Sequence, residues 1–308
     1  MSKSAIIALL GLSLAAASPA FAQSILYQTG FEAPTFTAGL PLVGQDSWAS
    51  IPITSPNAAI ITTDQPFAGK QAVRVRGADL VPDPNVTSMS SGYYSAIGSY
   101  RRRAIAVPPN TDFDVAGAGF PVVRVQAAVR VDGPQSPQGK NFFSASVAAR
   151  AVSSDQVCLV TDGIGELAIS SDGKVYGYSG DDFVPGCPSA CNVPPAPSCV
   201  ASFLVTAPIT LGAYHTLAVN ADFVKRKFSF CLDGQLLEDQ NGKSTFPFPS
   251  GADTNLFRRG SLIVYARPDT PQLNRASFKA HDDNFSITTL SASQTLLSCP
   301  DQSNQNGQ

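Results

Sequence analysis

The sequence predicts an all-β fold, a single antiparallel β-sandwich, and three observations support this prediction. Apolar residues alternate with polar or small residues in short segments, a pattern typical of strands with one buried face. The 308 residues include 24 glycines and 24 prolines, which are too many for a helical bundle. After the N-terminal segment, no window of about 12 residues repeats its apolar residues at a helical period.

Ten alternating or apolar segments mark the predicted strands. Turn residues separate them, including residues 171–174 and the pair Asp233 and Gly234, which predict tight turns. Residues 217–222 and 227–232 are predicted to form a hairpin. The predicted strands are residues 73–76, 123–131, 143–150, 167–169, 175–178, 217–222, 227–232, 235–237, 262–266 and 285–289.

The charge balance and the composition exclude several classes of function. Lys and Arg number 21 and Asp and Glu 23, a formal net charge of −2. A nucleic-acid-binding protein should be clearly positive, so no nucleic-acid partner is predicted. Hydrophobic residues make up 44% of the chain, enough for a sizeable core rather than long disordered segments.

The first 22 residues predict export. Lys3 precedes an apolar run over residues 5–17, and an Ala-x-Ala pattern ends at Ala22. This is typical of a secretory signal peptide cleaved before Gln23, and the run is shorter than the roughly 20 residues that cross a bilayer. We expect a signal peptide at 1–22, a sandwich domain at 23–296 and a polar tail at 297–308, exported to the periplasm or outside the cell, with no transmembrane segment after cleavage.

The cysteines predict disulfides. Because their number is even and the compartment is oxidising, we expect three bridges, although six cysteines allow 15 pairings. Three of them lie in a proline-rich loop, residues 181–199, which has no fourth Cys or His for a metal site. We expect one bridge within this long loop. Cys158 and Cys231, which we expect on strands, are further candidate partners. The six are Cys158, Cys187, Cys191, Cys199, Cys231 and Cys299.

Several short motifs resemble one group of proteins. They are LYQTGFE at 26–32, GQDSW at 44–48, GKQAVRV at 69–75, YHTL at 214–217, FSFCLDG at 228–234 and DDNF at 282–285. The chain is similar in these motifs to the concanavalin A-like, laminin G-like jelly-roll domains of exported bacterial proteins. The resemblance implies two stacked antiparallel sheets, one of them concave, and a concave face that often holds carbohydrate. Members range from adhesins to lyases and hydrolases, so the fold does not decide the function.

The resemblance also implies a structural calcium ion. Jelly-roll domains often fix their first and last strands with Ca²⁺ held by a Glu near the N-terminus and an Asp near the C-terminus. Glu32 and either Asp282 or Asp283 match these positions, and backbone carbonyls near Gly69 could complete an oxygen shell. The alternative is that these carboxylates are exposed edge residues or local turn caps.

The motifs of two enzyme classes are absent. Glycosidases need two facing carboxylates, and Glu166 has no acidic partner two or four residues along its strand. The motifs of jelly-roll alginate lyases are missing, although Tyr100, Arg101–Arg103 and His215 supply suitable residue types. For His215 we favour a structural role, and for the arginines a solvated strand face, with a patch for acidic sugars as the alternative.

Aromatic side chains offer another route to sugar binding, because their ring faces can stack on sugars. We expect Trp48, the single tryptophan, to lie in the core. Tyrosines in Gly- and Ser-rich segments are better surface candidates. The candidate ligand-binding residues are therefore Tyr93, Tyr94, Tyr100, Arg101, Arg103, Tyr176 and Tyr178.

The sequence favours an exported binding protein over an enzyme. The function predicted is non-catalytic binding of a polysaccharide or other cell-surface glycan. One alternative is a polysaccharide lyase or glycoside hydrolase with a nonstandard site on the concave sheet. Another is a structural protein of the envelope or matrix.

Overall fold

The fold is taken from a computed structural model. It describes residues 23–50, 57–80, 102–107, 113–115, 118–138, 142–151, 163–179, 202–205, 208–248, 256–266, 275–291 and 294–301. Residues 102–107 and 202–205 are described by their backbone alone.

Eighteen strands and one short 3₁₀ turn, Gly77–Asp79, make up the described secondary structure. In chain order the strands are β1 Ile25–Thr29, β2 Ala49–Ser50, β3 Ala59–Thr62, β4 Ala72–Arg76, β5 Arg102–Val107, β6 Phe113–Asp114, β7 Val122–Asp132, β8 Phe143–Ala151, β9 Gly163–Ser170, β10 Val175–Ser179, β11 Ser202–Val205, β12 Tyr214–Asp222, β13 Lys227–Leu232, β14 Gln235–Leu236, β15 Glu238–Asp239, β16 Phe246–Pro247, β17 Leu256–Ala266 and β18 Lys279–Thr289.

These strands form two antiparallel sheets. The first sheet has the order β14-β13-β12-β7-β18-β4-β3, with β1 also paired to β18 and β16 to β13. The second has the order β15-β11-β10-β9-β8-β17-β5-β2, with β6 also paired to β17. The chain crosses between the sheets, as it does from β7 to β8, and one core cluster includes residues of both, so the two sheets form one sandwich.

The core lies between the sheets and follows from the alternation within each strand. On β7 the alternate residues Val123, Val125 and Val129 belong to the core cluster and are fully buried. On β8 Phe143 and Val147 supply the opposing layer. Because successive side chains of a strand point to opposite faces, the residues between these core positions point away from the other sheet.

All ten strands predicted from the alternation are confirmed, and so is the hairpin between β12 and β13. Trp48 is buried, as expected, and its Nε1 donates a hydrogen bond of 2.8 Å to the Tyr27 hydroxyl. The last strand is longer than the predicted residues 285–289. It begins at Lys279 and includes three buried polar residues, His281, Asp282 and Asp283, whose side chains are more usual in loops.

One edge of β18 is divided between two partners. Its first half pairs with β4, for example Asp282 with Val73, and its second half pairs with β1, for example Ser286 with Gln28. At the change of partner the register with β7 shifts between Asp283 and Ser286, and Asn284 has a φ of 46°. The change of partner therefore coincides with a β-bulge.

One disulfide lies within the described residues, between Cys231 on β13 and Cys299, with an S–S distance of 2.00 Å. Cys231, one of the two strand cysteines expected as candidate partners, is thus bonded to Cys299, which lies beside β13 on the first sheet. The other four cysteines, Cys158, Cys187, Cys191 and Cys199, lie outside the described residues.

Gly260 on β17 is a position where the two sheets leave no room for a side chain. A Cβ atom there would lie 2.6 Å from Val125 Cγ1 and 2.7 Å from Phe285 Cζ. We expect Gly260→Ala to lower the free energy of unfolding by about 1–3 kcal/mol, because the core must shift to accept it. Urea unfolding of purified protein measures the difference.

Gly30→Ala is the matched control, since a Cβ atom there would meet its nearest neighbour at an ordinary 3.5 Å. Equal effects of the two substitutions would contradict the close approach of the sheets at Gly260.

Candidate functional site

The second sheet carries the two predicted tyrosines that the structure describes. Tyr176 and Tyr178 lie opposite Ala168 and Glu166 on the face that points away from the core. Tyr176 is only 1% exposed. Its hydroxyl donates a 2.6 Å hydrogen bond to the carboxylate of Asp172 in the adjacent turn, which satisfies the buried group. The expectation that Tyr176 lies at the surface is therefore wrong. Tyr178 is half-buried and stacks on Tyr176, with ring centroids 6.3 Å apart.

Glu166 lies on the same face, but its described neighbours do not form a pair of carboxylates. Its Oε1 accepts a 2.6 Å hydrogen bond from the Ser146 hydroxyl. Its partners on the adjacent strands are Ala148 and Tyr178. The carboxylate is thus fixed by a serine, without the second acid that glycoside hydrolysis requires beside it.

The remaining predicted ligand-binding residues are not described as side chains. Tyr93, Tyr94, Tyr100 and Arg101 lie outside the described residues. Arg103 lies on β5, where its backbone pairs with Val264.

Both histidines lie on the first sheet. His281 on β18 is fully buried, with Nδ1 3.1 Å from Asp132 Oδ2. His215 at the start of β12 has Nδ1 2.7 Å from Asp233 Oδ2 and Nε2 3.2 Å from the Thr210 carbonyl. The hydrogen bond to Asp233 raises the pKa of His215. Since both of its ring nitrogens have partners, the structure supports the structural role favoured for His215.

Two of the three predicted calcium ligands contact the same loop. Glu32 Oε1 accepts hydrogen bonds from the backbone N–H groups of Lys70, at 2.7 Å, and Gln71, at 3.0 Å. Asp283 Oδ2 accepts from those of Phe67, at 2.9 Å, and Ala68, at 3.1 Å. The two carboxylates therefore fasten residues 67–71 at the point where β18 changes partner.

Several oxygen atoms converge beside this loop. A Cβ atom on Gly30 would lie 3.5 Å from Asn284 Oδ1 and 4.0 Å from Asp283 Oδ1, and one on Gly69 would clash with Glu32 Oε1 at 2.2 Å. Burial, with a smaller contribution from the charge of Glu32, raises the pKa of Asp283 to about 6. Carboxylate and amide oxygens are the ligand types that calcium prefers, but Glu32 Oε1 and Asp283 Oδ2 already accept backbone N–H groups of the loop.

Asp282 differs from Asp283. It pairs with Val73 and Val129, both core residues, and its Oδ1 is buried without a hydrogen-bond partner. Burial, followed by the charge of Asp283, raises the pKa of Asp282 to about 8. Within the described ranges, no three His, Cys, Asp or Glu side chains are grouped as a metal site.

A polar pocket lies on the outer face of the first sheet. Its volume is about 420 Å³, within the range of roughly 300–1,000 Å³ typical of small-molecule sites. Most of its lining side chains carry an amide or a hydroxyl. The lining residues are Gln23, Ile25, Gln28, Arg124, Gln126, Asn284, Ser286, Thr288, Gln294, Cys299, Pro300 and Asp301.

The floor of the pocket consists of outward-facing residues of β7 and β18. Arg124 pairs with Thr288, and Gln126 with Ser286, so the four side chains form two adjacent rows. Thr288 Oγ1 is buried without a hydrogen-bond partner, and the side chains of Gln126 and Ser286 have none within the described part of the chain. The floor therefore presents polar groups whose hydrogen-bonding capacity is unused.

A C-terminal strap, residues 294–301, forms one wall of the pocket. Asn220 Nδ2 donates hydrogen bonds of 3.0 Å to the carbonyls of both Leu296 and Ser298. The Ser229 hydroxyl also donates to Leu296, and the disulfide fastens Cys299 to the sheet. The strap therefore includes the first residues of the predicted tail.

Arg124 connects the floor to the strap. It is 4% exposed; its Nε donates a 2.8 Å hydrogen bond to Asn220 Oδ1, and its Nη2 donates to the Ser298 carbonyl. Both acceptors are neutral, and burial lowers the pKa of Arg124 to about 10. At neutral pH the pocket therefore contains a desolvated positive charge.

This pocket was not predicted from the sequence, although its floor carries a local pattern. Polar residues alternate with core residues at Arg124 and Gln126 on β7, and at Asn284, Ser286 and Thr288 on β18. That alternation indicates an outer face but does not distinguish a binding floor from a solvated surface. The strap that turns this face into a pocket depends on the pairing of Cys231 with Cys299.

Comparisons with known proteins identify the class of fold. No family model and no curated protein matches the chain. An endo-1,3-β-glucanase from Streptomyces sioyaensis is 14% identical, over 89% of this chain and 98% of that chain, with a TM-score of 0.50. A PL-14 alginate lyase from Aplysia kurodai is 11% identical, over 87% and 100% of the two chains, with a TM-score of 0.49. The protein is a concanavalin A-like jelly-roll sandwich.

Among the described residues, no helix has the length and apolar character needed to cross a membrane.

The interaction between His215 and Asp233 predicts a pH dependence of stability. Because the pKa of His215 is raised in the folded state, its stabilising effect is complete below the ordinary value of 6.5 and is lost as pH rises through the folded-state value. We expect the His215 contribution to the free energy of unfolding to fall across this interval, and His215→Gln to remove it. Urea unfolding at a series of pH values measures this dependence.

Asp233→Asn should remove the same dependence, whereas Glu238→Gln, at an exposed position of β15, should keep it. If His215→Gln leaves the pH profile of the wild type unchanged, the interaction does not stabilise the fold.

Proposed function

We propose that the protein binds glycans without catalysing a reaction, and that the polar pocket is the binding site. The observation that carries the proposal is the floor of the pocket, where Gln126, Ser286 and Thr288 lie side by side with unused hydrogen-bonding groups. Sugars present dense arrays of hydroxyl groups, each of which both donates and accepts. Amide and hydroxyl side chains complement such arrays because they also do both.

The chemistry of the lining favours a hydrophilic ligand. Five of the lining residues named above are Gln or Asn, and none is aromatic. An apolar ligand would leave the side chains of Gln126, Ser286 and Thr288 without partners on binding, at a cost of about 1–3 kcal/mol for each buried group. A sugar unit could satisfy several of them at once.

The lining also favours binding over catalysis. Its ionisable groups are Arg124, buried at the floor, and Asp301, exposed on the strap. Glycoside hydrolysis requires a pair of carboxylates, and proton abstraction requires a base within hydrogen-bond reach of the substrate. The amides and hydroxyls that form most of the lining supply neither.

Export fits this function. The predicted signal peptide and the disulfide between Cys231 and Cys299 both suit an oxidising compartment, where polysaccharides and cell-surface glycans are the partners at hand. The glucanase of similar fold acts on a β-glucan, but at 14% identity that likeness supports the fold alone.

Removing polar groups from the floor tests the proposal. We expect the double substitution Gln126→Ala and Ser286→Ala to weaken binding of any glycan retained by the wild type roughly tenfold or more, since two hydrogen bonds are lost. Calorimetric titration with neutral and acidic oligosaccharides measures the affinity, and an assay for new reducing ends on the same panel reports catalysis.

Gln235→Ala is the matched control, because Gln235 is an exposed amide of the same sheet that does not line the pocket. Binding that survives the double substitution would place the site elsewhere. New reducing ends that appear with the wild type would overturn the non-catalytic assignment.

We also propose a structural calcium ion beside Glu32 and Asp283. In the calcium-free protein, the like charges of the two carboxylates are partly compensated by the amides of residues 67–71. Bound calcium would neutralise both and hold the loop against β18. Asp282, which faces the core, is not part of this proposed set.

Calcium added after chelation should raise the melting temperature by roughly 5 °C at saturation, because it binds the folded state. Glu32→Gln should abolish the shift while its amide oxygen can still accept from Lys70 and Gln71. Glu238→Gln, at an exposed site, should keep it. An unchanged melting temperature of the wild type would contradict the calcium proposal.

A further inference from the structure

We propose that the pocket selects glycans that carry an anionic group, a carboxylate or a sulfate ester, and that Arg124 is the group that recognises it. This inference rests on the proposed function and names the class of ligand. It follows from the partners of Arg124, the atoms that this residue leaves unused, and the groups beside it.

The charge of Arg124 is not compensated by the described protein. Its two hydrogen bonds, from Nε and Nη2, end on the neutral oxygens of Asn220 and Ser298. Within the described residues Arg124 forms no ion pair, and it is only 4% exposed to water. A buried cation without a counterion is costly, and an anionic ligand group would supply that counterion.

Arg124 also has a donor available to the pocket. Nη1 has no hydrogen-bond partner within the described ranges. It is not among the fully buried polar atoms that lack a partner. Since Arg124 lines the pocket, Nη1 is the guanidinium nitrogen that remains for a ligand. Guanidinium N–H groups form short, strong hydrogen bonds with carboxylate and sulfate oxygens.

The neighbours of Arg124 complete a site for an oxyanion. Thr288 lies directly opposite Arg124 on β18, and its hydroxyl is buried without a partner. Gln126, two residues along β7, carries a free amide on the same face. A hydroxyl, an amide and a guanidinium can all donate to one oxyanion, while Ser286 remains for the hydroxyls of the sugar.

One negative charge of the lining opposes this selection. Asp301 lies at the exposed end of the strap and forms no ion pair with Arg124 in the described part of the chain. Because its carboxylate is solvated, its repulsion of a ligand is screened by water and salt. Asp301→Asn should therefore strengthen binding of an acidic glycan slightly and leave binding of a neutral one unchanged.

The test compares matched ligands on the intact chain. The probes are uronate oligomers, sulfated oligosaccharides, and the carboxyl-reduced or desulfated form of each, titrated by calorimetry. We expect the wild type to bind one acidic series at least about tenfold more tightly than its neutral counterpart, because one charge-assisted hydrogen bond is worth about that factor. The preference should decrease with added salt, and the series that binds distinguishes carboxylate from sulfate.

Gln126→Glu tests the role of the Arg124 charge without touching the bonds of Arg124 to the strap. The new carboxylate would lie roughly 7 Å along the same strand face and would offset the guanidinium charge. We expect the acidic preference to disappear with Gln126→Glu and to persist, reduced, with Gln126→Ala, which removes one donor to the oxyanion but leaves the charge of Arg124. Gln235→Glu, an identical charge change on exposed β14, should leave the preference intact.

The outcomes separate this inference from the proposed function. Equal affinity for acidic and neutral glycans would overturn the role of Arg124 and leave glycan binding standing. An acidic preference that survives Gln126→Glu would also overturn it. Binding of neither series would overturn both, and circular dichroism of each variant shows whether the fold is intact.

Discussion

The first sheet depends on the way β18 is shared. Its β7 edge is paired almost continuously, whereas its other edge serves β4 and then β1. A strand can change partner only where its ladder is interrupted, and the interruption leaves backbone groups of the crossing loop unpaired. Glu32 and Asp283 accept four of those N–H groups, so two carboxylates replace the missing ladder.

This arrangement explains why polar residues are buried in the middle of a strand. His281, Asp282 and Asp283 would ordinarily be exposed, and each has a different reason to be inside. His281 lies beside Asp132, Asp283 holds the loop, and Asp282 lies among valines with its pKa raised by burial. The first half of β18 thus has a sequence typical of a loop and a position at the centre of a sheet.

Much of the fold could be predicted from local patterns, because one buried face imposes an alternation that survives in the sequence. The segment 123–131 is a clear example, and β7 contains it in full. The start of β18 could not be predicted, since its burial depends on pairing with β4, about 200 residues away. Short edge strands such as β2 and β16, with two residues each, are too brief to show any period.

The candidate site was harder to predict than the fold. Its floor belongs to β7 and β18, and its wall to the strap, so no single segment contains its chemistry. Tyr176 illustrates the converse error, because a tyrosine between small residues suggests exposure until its hydroxyl is found on Asp172. Residue type pointed to tyrosines on the second sheet, whereas the proposed pocket lies on the first.

The pocket lies where both ends of the described domain meet, because Gln23 and Asp301 are both among its lining residues. A purification tag or fusion partner joined directly before Gln23 or directly after Asp301 would start at the mouth of the pocket and compete with a ligand for space. Joining the two ends by a short linker and opening the chain at the turn of Val224, which is 63% exposed, would move both termini away from it. In a surface-immobilised protein, that circular permutant would direct the pocket toward the solution.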